Sequence, residues 1–495
     1  MLQNLKKMEL KKNEINICLF SLCISLLTYG YGLMNFSLPI DAQEEVINPN
    51  FMLSVGRWGI CLIRYHLFHG YTPYFTPLVS LVLLCLSSLM LIKLLNIQGI
   101  YAYAFCILYL TFPQLAYQLV FITQADAIAL GYVLSIISIW LFIKSIEISN
   151  KRKAVIYFLF ACFIAMFTLS IYQAFIFVIL VVYLSYLLFK DSRKKLSYKY
   201  EISKSIVFIL FIVVSALFYV ISLKLVGIKG YDDYIESSYT SHNSLKNTIF
   251  NFINLLKIQL LGKAYFGNSL YIIATLLFIL SIFKYFLEKK IFQLRTIILS
   301  AILILPFFIS LFITGGYHPP RLYLATNISF SIIIIDFFLK IKKQNMTIVL
   351  VSFVGAINVL FITQLYYSQK RVRDFEVIEA NKMDLIIRTK YPEFKENINP
   401  VYFHGGLEKA NRFKLNNSEV FGGSFLQWNG GNNGLILGFF RYYNIANYKM
   451  IEKDDFIKIK DSINNMPIWP DYGSVKMVEG VVIIKLGEEY GYLHF

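Results

Sequence analysis

The sequence predicts a polytopic, all-α membrane protein with about 11 transmembrane helices, followed by a small α+β domain. The first observation is composition: 57% of the 495 residues are hydrophobic and 16% are charged, whereas soluble domains carry about 25% charged residues. The second is a series of apolar stretches of bilayer length. The third is a change to mixed, polar sequence after residue 367.

A helix crosses a hydrocarbon core of about 30 Å with roughly 20 largely apolar residues. Stretches of this kind recur along the first three quarters of the chain, and Ser170-Ile171-Tyr172-Gln173 divides one long run into a tight hairpin. The first stretch lacks the small-residue site of a cleavable signal peptide, so we expect it to be retained. The predicted spans are 15–38, 76–96, 100–122, 127–146, 154–170, 171–189, 205–226, 270–287, 296–314, 322–340 and 346–367.

The net charge of +17 first suggests a nucleic-acid partner, but the positions of the charges indicate another origin. With the N-terminus inside, the inner segments hold 22 Lys and Arg against 7 Asp and Glu, while the outer loops hold 8 against 7. Positive charge collects on the cytoplasmic side of membrane proteins, next to anionic lipid. The charge therefore predicts orientation, with no nucleic-acid partner and the C-terminus outside.

The last part of the chain, residues 368–495, is predicted to be a separate outer domain after a transmembrane domain of residues 1–367. It holds 17 basic and 16 acidic residues and is long enough to bury a core of its own. The run 481–486 alternates as a strand does, while 383–387 and 452–464 have helical patterns. These elements predict a small α+β fold.

The chain shows no sign of a metal-binding or disulfide framework. All six cysteines precede residue 163, and none has the spacing of a zinc site. No glycine-rich phosphate loop is present either, so the sequence predicts no bound nucleotide.

The polar residues that call for an explanation lie at the outer ends of the predicted spans. Asp41, Glu44 and Glu45 directly follow the first span. Acids at membrane depth are costly and mark functional sites. The alternative is a solvated helix exit, since outer loops tolerate acids.

An amphipathic stretch, residues 51–70, follows these acids and is expected to lie along the interface. Within it, Arg57 next to Trp58 suits an anionic headgroup or a phosphate. The alternative is an ordinary interfacial anchor made of tryptophan and arginine.

Two further outer loops carry polar candidates. The second loop contains Tyr117, Gln118 and Asp126, and the hairpin contains Tyr172 and Gln173. Asp126 is alternatively a first-turn acid that complements the helix dipole. The hairpin amide and phenol alternatively satisfy backbone groups.

The fifth outer loop places His318 and Arg321 on either side of Pro319-Pro320. These two side chains are expected to present two cations to a phosphate, although Arg321 is alternatively a snorkelling anchor. Together, the outer loops suit transfer from a lipid-phosphate donor. A carboxylate takes the proton of an attacking hydroxyl, and cations stabilise the departing phosphate.

The order of these motifs resembles that of bacterial integral-membrane glucosyltransferases of the type II, serotype-converting family, often encoded by temperate bacteriophages. The resemblance rests on the acidic exit of the first span, Gly56-Arg57-Trp58, Tyr117-Gln118 with Asp126, and Ser170-Ile171-Tyr172-Gln173-Ala174. The tail Met466-Pro467-Ile468-Trp469-Pro470 and the run 474–484 extend it over most of the chain.

The resemblance implies a GT-C-like fold in the bacterial inner membrane, with the C-terminal domain periplasmic. It implies undecaprenyl-phosphate glucose as donor, lipopolysaccharide O-antigen as acceptor, and separate partner proteins that make and flip the donor. It places the base at Asp41, with Glu44 next and Glu45 third, and a supporting acid at Asp126. Some GT-C enzymes use a divalent cation, Mg²⁺ or Mn²⁺, but these separated acids do not establish one.

Two other functions compete with glucosyl transfer. A transporter or flippase is expected to show charges along a mid-membrane path and internal repeats, and the sequence has neither. An O-antigen polymerase is expected to use a large, arginine-rich outer loop rather than a C-terminal outer domain.

Overall fold

A computed structural model describes residues 12–40, 50–68, 70, 72, 74–193, 198–228, 244–287, 294–313, 318–489 and 491. The chain divides into two compact units. The first comprises Met1–Met34 and Pro49–Thr363, and the second comprises Asn35–Asn48 and Gln364–Phe495.

The first unit is a bundle of long helices. In chain order they are α1 (Lys12–Met34), α2 (Phe75–Leu95), α3 (Ile100–Thr111), α4 (Ala125–Glu147), α5 (Lys151–Ile171), α6 (Phe175–Arg193), α7 (Tyr198–Val226), α8 (Leu245–Leu260), α9 (Tyr271–Leu287), α10 (Leu294–Ile304) and α11 (Thr326–Ile341), followed by α12 (Gln344–Lys390). Among the described residues, eight helices are long and apolar enough to cross a membrane. The chain therefore has the character of a membrane protein.

Several predicted spans differ from the helices in the structure, and 100–122 and 346–367 show this most clearly. The stretch 100–122 is not one helix, because α3 ends at Thr111 and Pro113 precedes a short helix, Gln114–Leu119. A residue before proline is biased toward extended backbone, and Phe112 adopts it. The predicted span 346–367 lies at the start of α12, which continues to Lys390. The part of α12 from Gln364 onward belongs to the second unit.

Between α1 and α2, the described residues 50–67 form three small helical elements. They are Asn50–Ser54, Trp58–Cys61 and a wider, π-helical turn at Leu62–Leu67. Gly56, between the first two, has a φ of +77°, a conformation that residues with a Cβ rarely adopt.

The second unit contains the predicted α+β fold. Its strands are β1 (Pro400–His404), β2 (Lys449–Met450), β3 (Val475–Val478) and β4 (Val481–Lys485), arranged in the order β2-β1-β4-β3. β1 is parallel to β2 and β4, and β3 and β4 form an antiparallel hairpin. Helices α13 (Asn433–Tyr442) and α14 (Lys453–Ile463) accompany the sheet, and α14 packs Ile459 and Ile463 against Tyr402 and Ile483.

Candidate functional site

The structure describes most of the predicted site residues but not all of them. Asp41, Glu44 and Glu45 lie outside the described residues. The others fall into three groups within the first unit.

The first group joins the segment before α2 to the hairpin between α5 and α6. Gln173 donates from Nε2 to the backbone oxygen of Val55 (2.9 Å) and to the hydroxyl of Tyr219 (2.9 Å). The Tyr219 hydroxyl in turn donates to the backbone oxygen of Gly56 (3.0 Å). These bonds hold the turn at Gly56 and thereby orient the residue that follows it, Arg57.

Arg57 lies on an aromatic surface. Its guanidinium carbon is 4.2 Å from the centre of the Tyr172 ring, a cation–π distance, and its buried Nε has no hydrogen-bond partner in the described part of the chain. Trp58 donates from Nε1 to Ser222 Oγ (3.0 Å) and packs edge-on against Phe167 at 5.6 Å. Arg57, Trp58, Tyr172 and Gln173, which we call the arginine cradle, are thus brought together.

The arginine cradle depends on close packing at Gly59. A Cβ at this position would lie 2.4 Å from Ser170 Oγ and 2.9 Å from the Ser170 carbonyl carbon. A side chain here would push the segment carrying Arg57 away from the hairpin carrying Tyr172.

The second group links the short helix Gln114–Leu119 to the fifth outer loop. Gln114 and Gln118, one turn apart and fully buried, donate to the backbone oxygens of Pro320 (3.4 Å) and Arg321 (3.0 Å). The Arg321 guanidinium carbon lies 4.9 Å from the centre of the Phe121 ring. Tyr117 instead donates to the backbone oxygen of Phe266 (3.0 Å), so its hydroxyl has a structural partner.

His318 lies at the start of the described part of this loop. Burial lowers the pKa of His318 below its ordinary value, which is about 6.5, and so favours the neutral imidazole. Its buried Nδ1 has no hydrogen-bond partner among the described residues. The role of His318 and Arg321 as a pair of cations stays a prediction.

The third group is a buried ion pair formed by Asp126. Asp126 lies in the first turn of α4, where Oδ1 accepts from the backbone N–H of Ala127 (2.8 Å). The same oxygen accepts from a terminal nitrogen of Arg64 at 2.5 Å. Arg64 and Asp126 are only 3% and 1% exposed. Asp126 thus occupies the first-turn position that the structural alternative expects, and it also forms the ion pair with Arg64.

Arg64 connects three parts of the chain. Its guanidinium also donates to the backbone oxygens of Thr123 (3.0 Å) and Gly70 (3.1 Å) and to Thr76 Oγ1 (3.3 Å). It therefore ties the π-helical turn to the start of α2 and to the loop before α4.

These contacts leave a set of buried oxygen acceptors without partners. The side-chain oxygens Gln114 Oε1, Gln118 Oε1, Gln124 Oε1 and Asp126 Oδ2 have none within the described ranges. All four belong to the stretch 114–126, which folds back through tight turns at Phe121 and Gln124. Because the amide nitrogens of Gln114 and Gln118 already donate to the backbone, the oxygen of each amide can accept a hydrogen bond from a hydroxyl group.

The family assignment follows from comparison with known proteins. A family model described as Glucosyl transferase GtrII matches residues 30–335, which is more than half of the chain. The protein belongs to the GtrII family. No match was found among curated proteins or among solved structures. The resemblance to type II glucosyltransferases is confirmed, and the family identifies this chain as a glycosyltransferase.

The matched region of this GtrII protein includes the arginine cradle, the stretch 114–126 and the fifth outer loop. It also includes Arg64, which the sequence predictions did not single out. A signal was present, because Arg64 follows Gly59-Ile60-Cys61-Leu62-Ile63, and an ionisable residue in an apolar run requires a partner.

A second buried charge cluster in this GtrII protein lies at the opposite ends of the helices. Arg295 bonds Asp336 and lies 3.6 Å from Asp191, and Lys340 lies 2.8 Å from Asp336. The two positive and two negative charges of this cluster neutralise one another. We therefore interpret the cluster as a contact between helix ends and not as a binding site for a charged ligand.

The described residues do not fit a divalent cation. No group of three or more His, Cys, Asp or Glu side chains that could hold a metal ion occurs in the searched ranges. Asp126, the one carboxylate among the described outer candidates, faces the positive charge of Arg64.

Proposed function

We propose that this GtrII protein transfers glucose from undecaprenyl-phosphate glucose to lipopolysaccharide O-antigen on the periplasmic side of the inner membrane, as in phage-type serotype conversion. The observation that carries the proposal is the arginine cradle within a membrane-type member of a glucosyl transferase family. A guanidinium whose buried Nε has no partner among the described residues suits the phosphate of a lipid-linked sugar, because arginine binds phosphate through several donors at once.

The proposed reaction is a single displacement at the anomeric carbon of glucose. An acceptor hydroxyl oxygen forms a bond to this carbon while the bond to the phosphate oxygen breaks. The hydroxyl proton passes to a carboxylate, and undecaprenyl phosphate leaves with the electron pair. A β-linked donor then gives an α-glucoside, because one displacement inverts the configuration.

Residue roles follow from the chemistry of each group. Asp41 is the proposed base, with Glu44 and then Glu45 as the next candidates. Asp126 is assigned a supporting role, since its Oδ1 is committed to Arg64. A base must accept the proton of the attacking hydroxyl, and a carboxylate whose negative charge is stabilised by a buried arginine accepts a proton less readily.

The phosphate is assigned to cations of the first unit. Arg57, held over Tyr172, is the principal candidate, with Trp58 and Gln173 orienting it. Arg321 and the neutral His318 form a second group that suits a phosphate or sugar hydroxyls. The unpartnered oxygens of Gln114 and Gln118 suit sugar hydroxyls, which donate hydrogen bonds.

The first experiment tests the carboxylates. Asp41→Asn, Glu44→Gln and Asp126→Asn are made singly, membrane levels are confirmed, and O-antigen glucosylation is measured. We expect Asp41→Asn or Glu44→Gln to abolish transfer. The control is Glu147→Gln, which removes an acid at the far end of α4. Full activity in all three test variants contradicts the carboxylate mechanism.

The second experiment tests the arginine cradle. Arg57→Gln is expected to raise KM for the lipid donor by about 10- to 100-fold, because a charge-assisted hydrogen bond contributes about 1.5–3 kcal/mol. The matched control is Arg412→Gln, which removes an arginine whose guanidinium carbon lies 4.5 Å from the centre of the Phe375 ring in the second unit. An unchanged donor KM in Arg57→Gln refutes the phosphate assignment.

The proposal also requires partners, namely separate proteins that make undecaprenyl-phosphate glucose and move it to the periplasmic leaflet. Transfer in cells is therefore expected to stop when either partner is absent, while purified protein supplied with donor keeps its activity.

A further inference from the structure

The short helix Gln114–Leu119 carries two buried amides on one side. Gln114 and Gln118 are four residues apart, so they lie on neighbouring turns of the same face, and both are fully buried. Their Nε2 atoms donate to the backbone oxygens of two consecutive residues, Pro320 (3.4 Å) and Arg321 (3.0 Å). The two amides are therefore held side by side against the fifth outer loop.

A second side of this helix is fixed as well. The hydroxyl of Tyr117 donates to the backbone oxygen of Phe266 (3.0 Å), and the centre of its ring is 5.2 Å from that of Tyr265. At Gly267, an added Cβ would lie 2.8 Å from the Cβ of Pro113, the residue directly before the helix. Contacts on two sides hold the helix in one place, so its amide groups are positioned before any ligand binds.

The hydrogen bonds also determine the orientation of each amide. A backbone oxygen only accepts hydrogen bonds, so the amide atom next to it has to be the nitrogen, and turning the amide over would bring two acceptors together. The atoms left without a partner among the described residues are therefore the oxygens, Gln114 Oε1 and Gln118 Oε1. Leaving a buried acceptor unpaired is costly. The group that completes each of them has to be a hydrogen-bond donor.

A ligand for these two oxygens must present two donors close together. An ionised phosphate oxygen only accepts hydrogen bonds and is repelled by an amide oxygen, whereas a sugar hydroxyl donates as well as accepts. Hydroxyl groups on adjacent carbons of a sugar ring suit two acceptors on adjacent helical turns. In a site shielded from water, a sugar that lacks one of these hydroxyls leaves an acceptor unpaired, so such a pair discriminates between sugars as well as binding them.

We propose that Gln114 and Gln118 are specificity-determining residues, whose amide oxygens accept hydrogen bonds from two hydroxyl groups of a sugar at the transfer site. The donor glucose and the acceptor saccharide share this chemistry, so both are tested. The inference rests on the proposed function, in which glucose is transferred between them. It adds that the protein selects a sugar through acceptor atoms of the helix Gln114–Leu119.

The first arm of the test varies the donor. Undecaprenyl-phosphate glucose and a set of analogues, each lacking one hydroxyl of the sugar, are supplied with O-antigen acceptor to purified wild type, Gln114→Leu and Gln118→Leu. In the wild type, kcat/KM is expected to fall about 10- to 100-fold for an analogue that lacks a recognised hydroxyl, because a buried acceptor then stays unpaired. In the variant that lacks this acceptor, the same analogue is expected to lose less than about three-fold relative to glucose, because the two changes remove one interaction.

The matched control is Tyr117→Phe, which removes a hydroxyl of the same helix whose partner is the backbone of Phe266. Whatever its effect on the overall rate, this variant is expected to keep the wild-type ranking of the donor analogues. If Gln118→Leu fails to fold, Gln118→Met keeps the length of the side chain without its amide oxygen, and it is expected to lose the same discrimination.

The second arm varies the acceptor concentration with the glucose donor. A rise of about 10-fold or more in the acceptor KM of Gln118→Leu, without coupling to any donor analogue, assigns the pair to the acceptor saccharide. Additive effects in the donor arm together with an unchanged acceptor KM overturn the inference, and ordered water at the two oxygens would produce this result. Failure of the proposed function has a different signature, because the wild type then transfers no glucose from the lipid donor.

Discussion

Replacing Arg64 by methionine should destabilise the transmembrane unit strongly, because it leaves a buried carboxylate without its partner. Arg64 and Asp126 are 3% and 1% exposed, and they are 2.5 Å apart. Removing one partner of a buried ion pair costs about 3–5 kcal/mol. The backbone oxygens of Thr123 and Gly70 also lose a donor, which places Arg64→Met toward the upper end of that range.

The complementary changes separate charge from packing. Asp126→Asn should lie toward the lower end of the same range of about 3–5 kcal/mol, because Arg64 keeps its hydrogen bonds to the backbone oxygens of Thr123 and Gly70 and to Thr76. The double variant Arg64→Met with Asp126→Asn should cost less than the sum of the two single changes by at least about 1 kcal/mol, since neither charge then remains unpaired. The coupling free energy between the two substitutions measures the ion pair alone, because the loss of the backbone hydrogen bonds of Arg64 cancels in the cycle.

The assay is reversible unfolding in mixed micelles, with membrane expression measured alongside. Arg152→Met removes an exposed arginine from the first turn of α5 and should change the unfolding free energy by less than about 0.5 kcal/mol. The reasoning is refuted if Arg64→Met costs no more than this control, or if the two single effects add without coupling.

Two further predictions concern packing and pH. Gly59→Ala should lower the free energy of unfolding by about 1–3 kcal/mol and reduce glucosyl transfer, because the added Cβ lies 2.4 Å from Ser170 Oγ. The control is Gly30→Ala, where the added Cβ has nothing within 4 Å; this variant should unfold no more easily than the wild type. Burial lowers the pKa of His404 in the second unit, so below about pH 6.5 the unfolded chain binds this proton more readily. Stability is then complete above pH 6.5 and falls as the pH drops toward the lowered pKa; His404→Gln should reduce the difference in thermal midpoint between pH 7.5 and pH 5, and an undiminished difference contradicts the assignment.

Much of the helical architecture could be predicted because the bilayer demands long apolar runs. The stretch 127–146 corresponds to α4, and 76–96 corresponds to α2. The prediction of one helix over 100–122 is wrong. Pro113 indicates a helix end at this point, but the prediction followed the apolar composition of the whole stretch. The predicted span ends at residue 367, although α12 continues to Lys390, because only the apolar part of this helix fits the criterion for a membrane span.

Ion pairs between neighbouring turns stabilise the polar, C-terminal end of α12. A hydropathy pattern does not detect such pairs. Lys370 pairs with Asp374, and Arg388 with Asp384, each four residues apart. Such pairs stabilise a helix at the surface. The spacing of these charged pairs in the sequence indicates a helix. It does not indicate a membrane span, so it could not extend a span that was predicted from apolar residues.

The sequence predicts which residue types belong to the candidate site, but it does not predict which of these residues contact one another. Arg57 and Tyr172 are separated by four predicted spans, so no spacing rule places one over the other. Gln118 and Arg321 are further apart still, and they meet through a side-chain amide and a backbone oxygen. Contacts of this kind depend on how helices pack, which residue patterns do not specify.

The most direct test of the account is transfer by purified protein in liposomes from two alternative donors. Undecaprenyl-phosphate glucose and a nucleotide-linked glucose, each labelled in the sugar, are supplied separately with O-antigen acceptor. The account predicts that label reaches the acceptor from the lipid donor, with one undecaprenyl phosphate released per glucose, and that Asp41→Asn or Glu44→Gln stops this transfer. Transfer from the nucleotide donor alone, or none from the lipid donor, would contradict it.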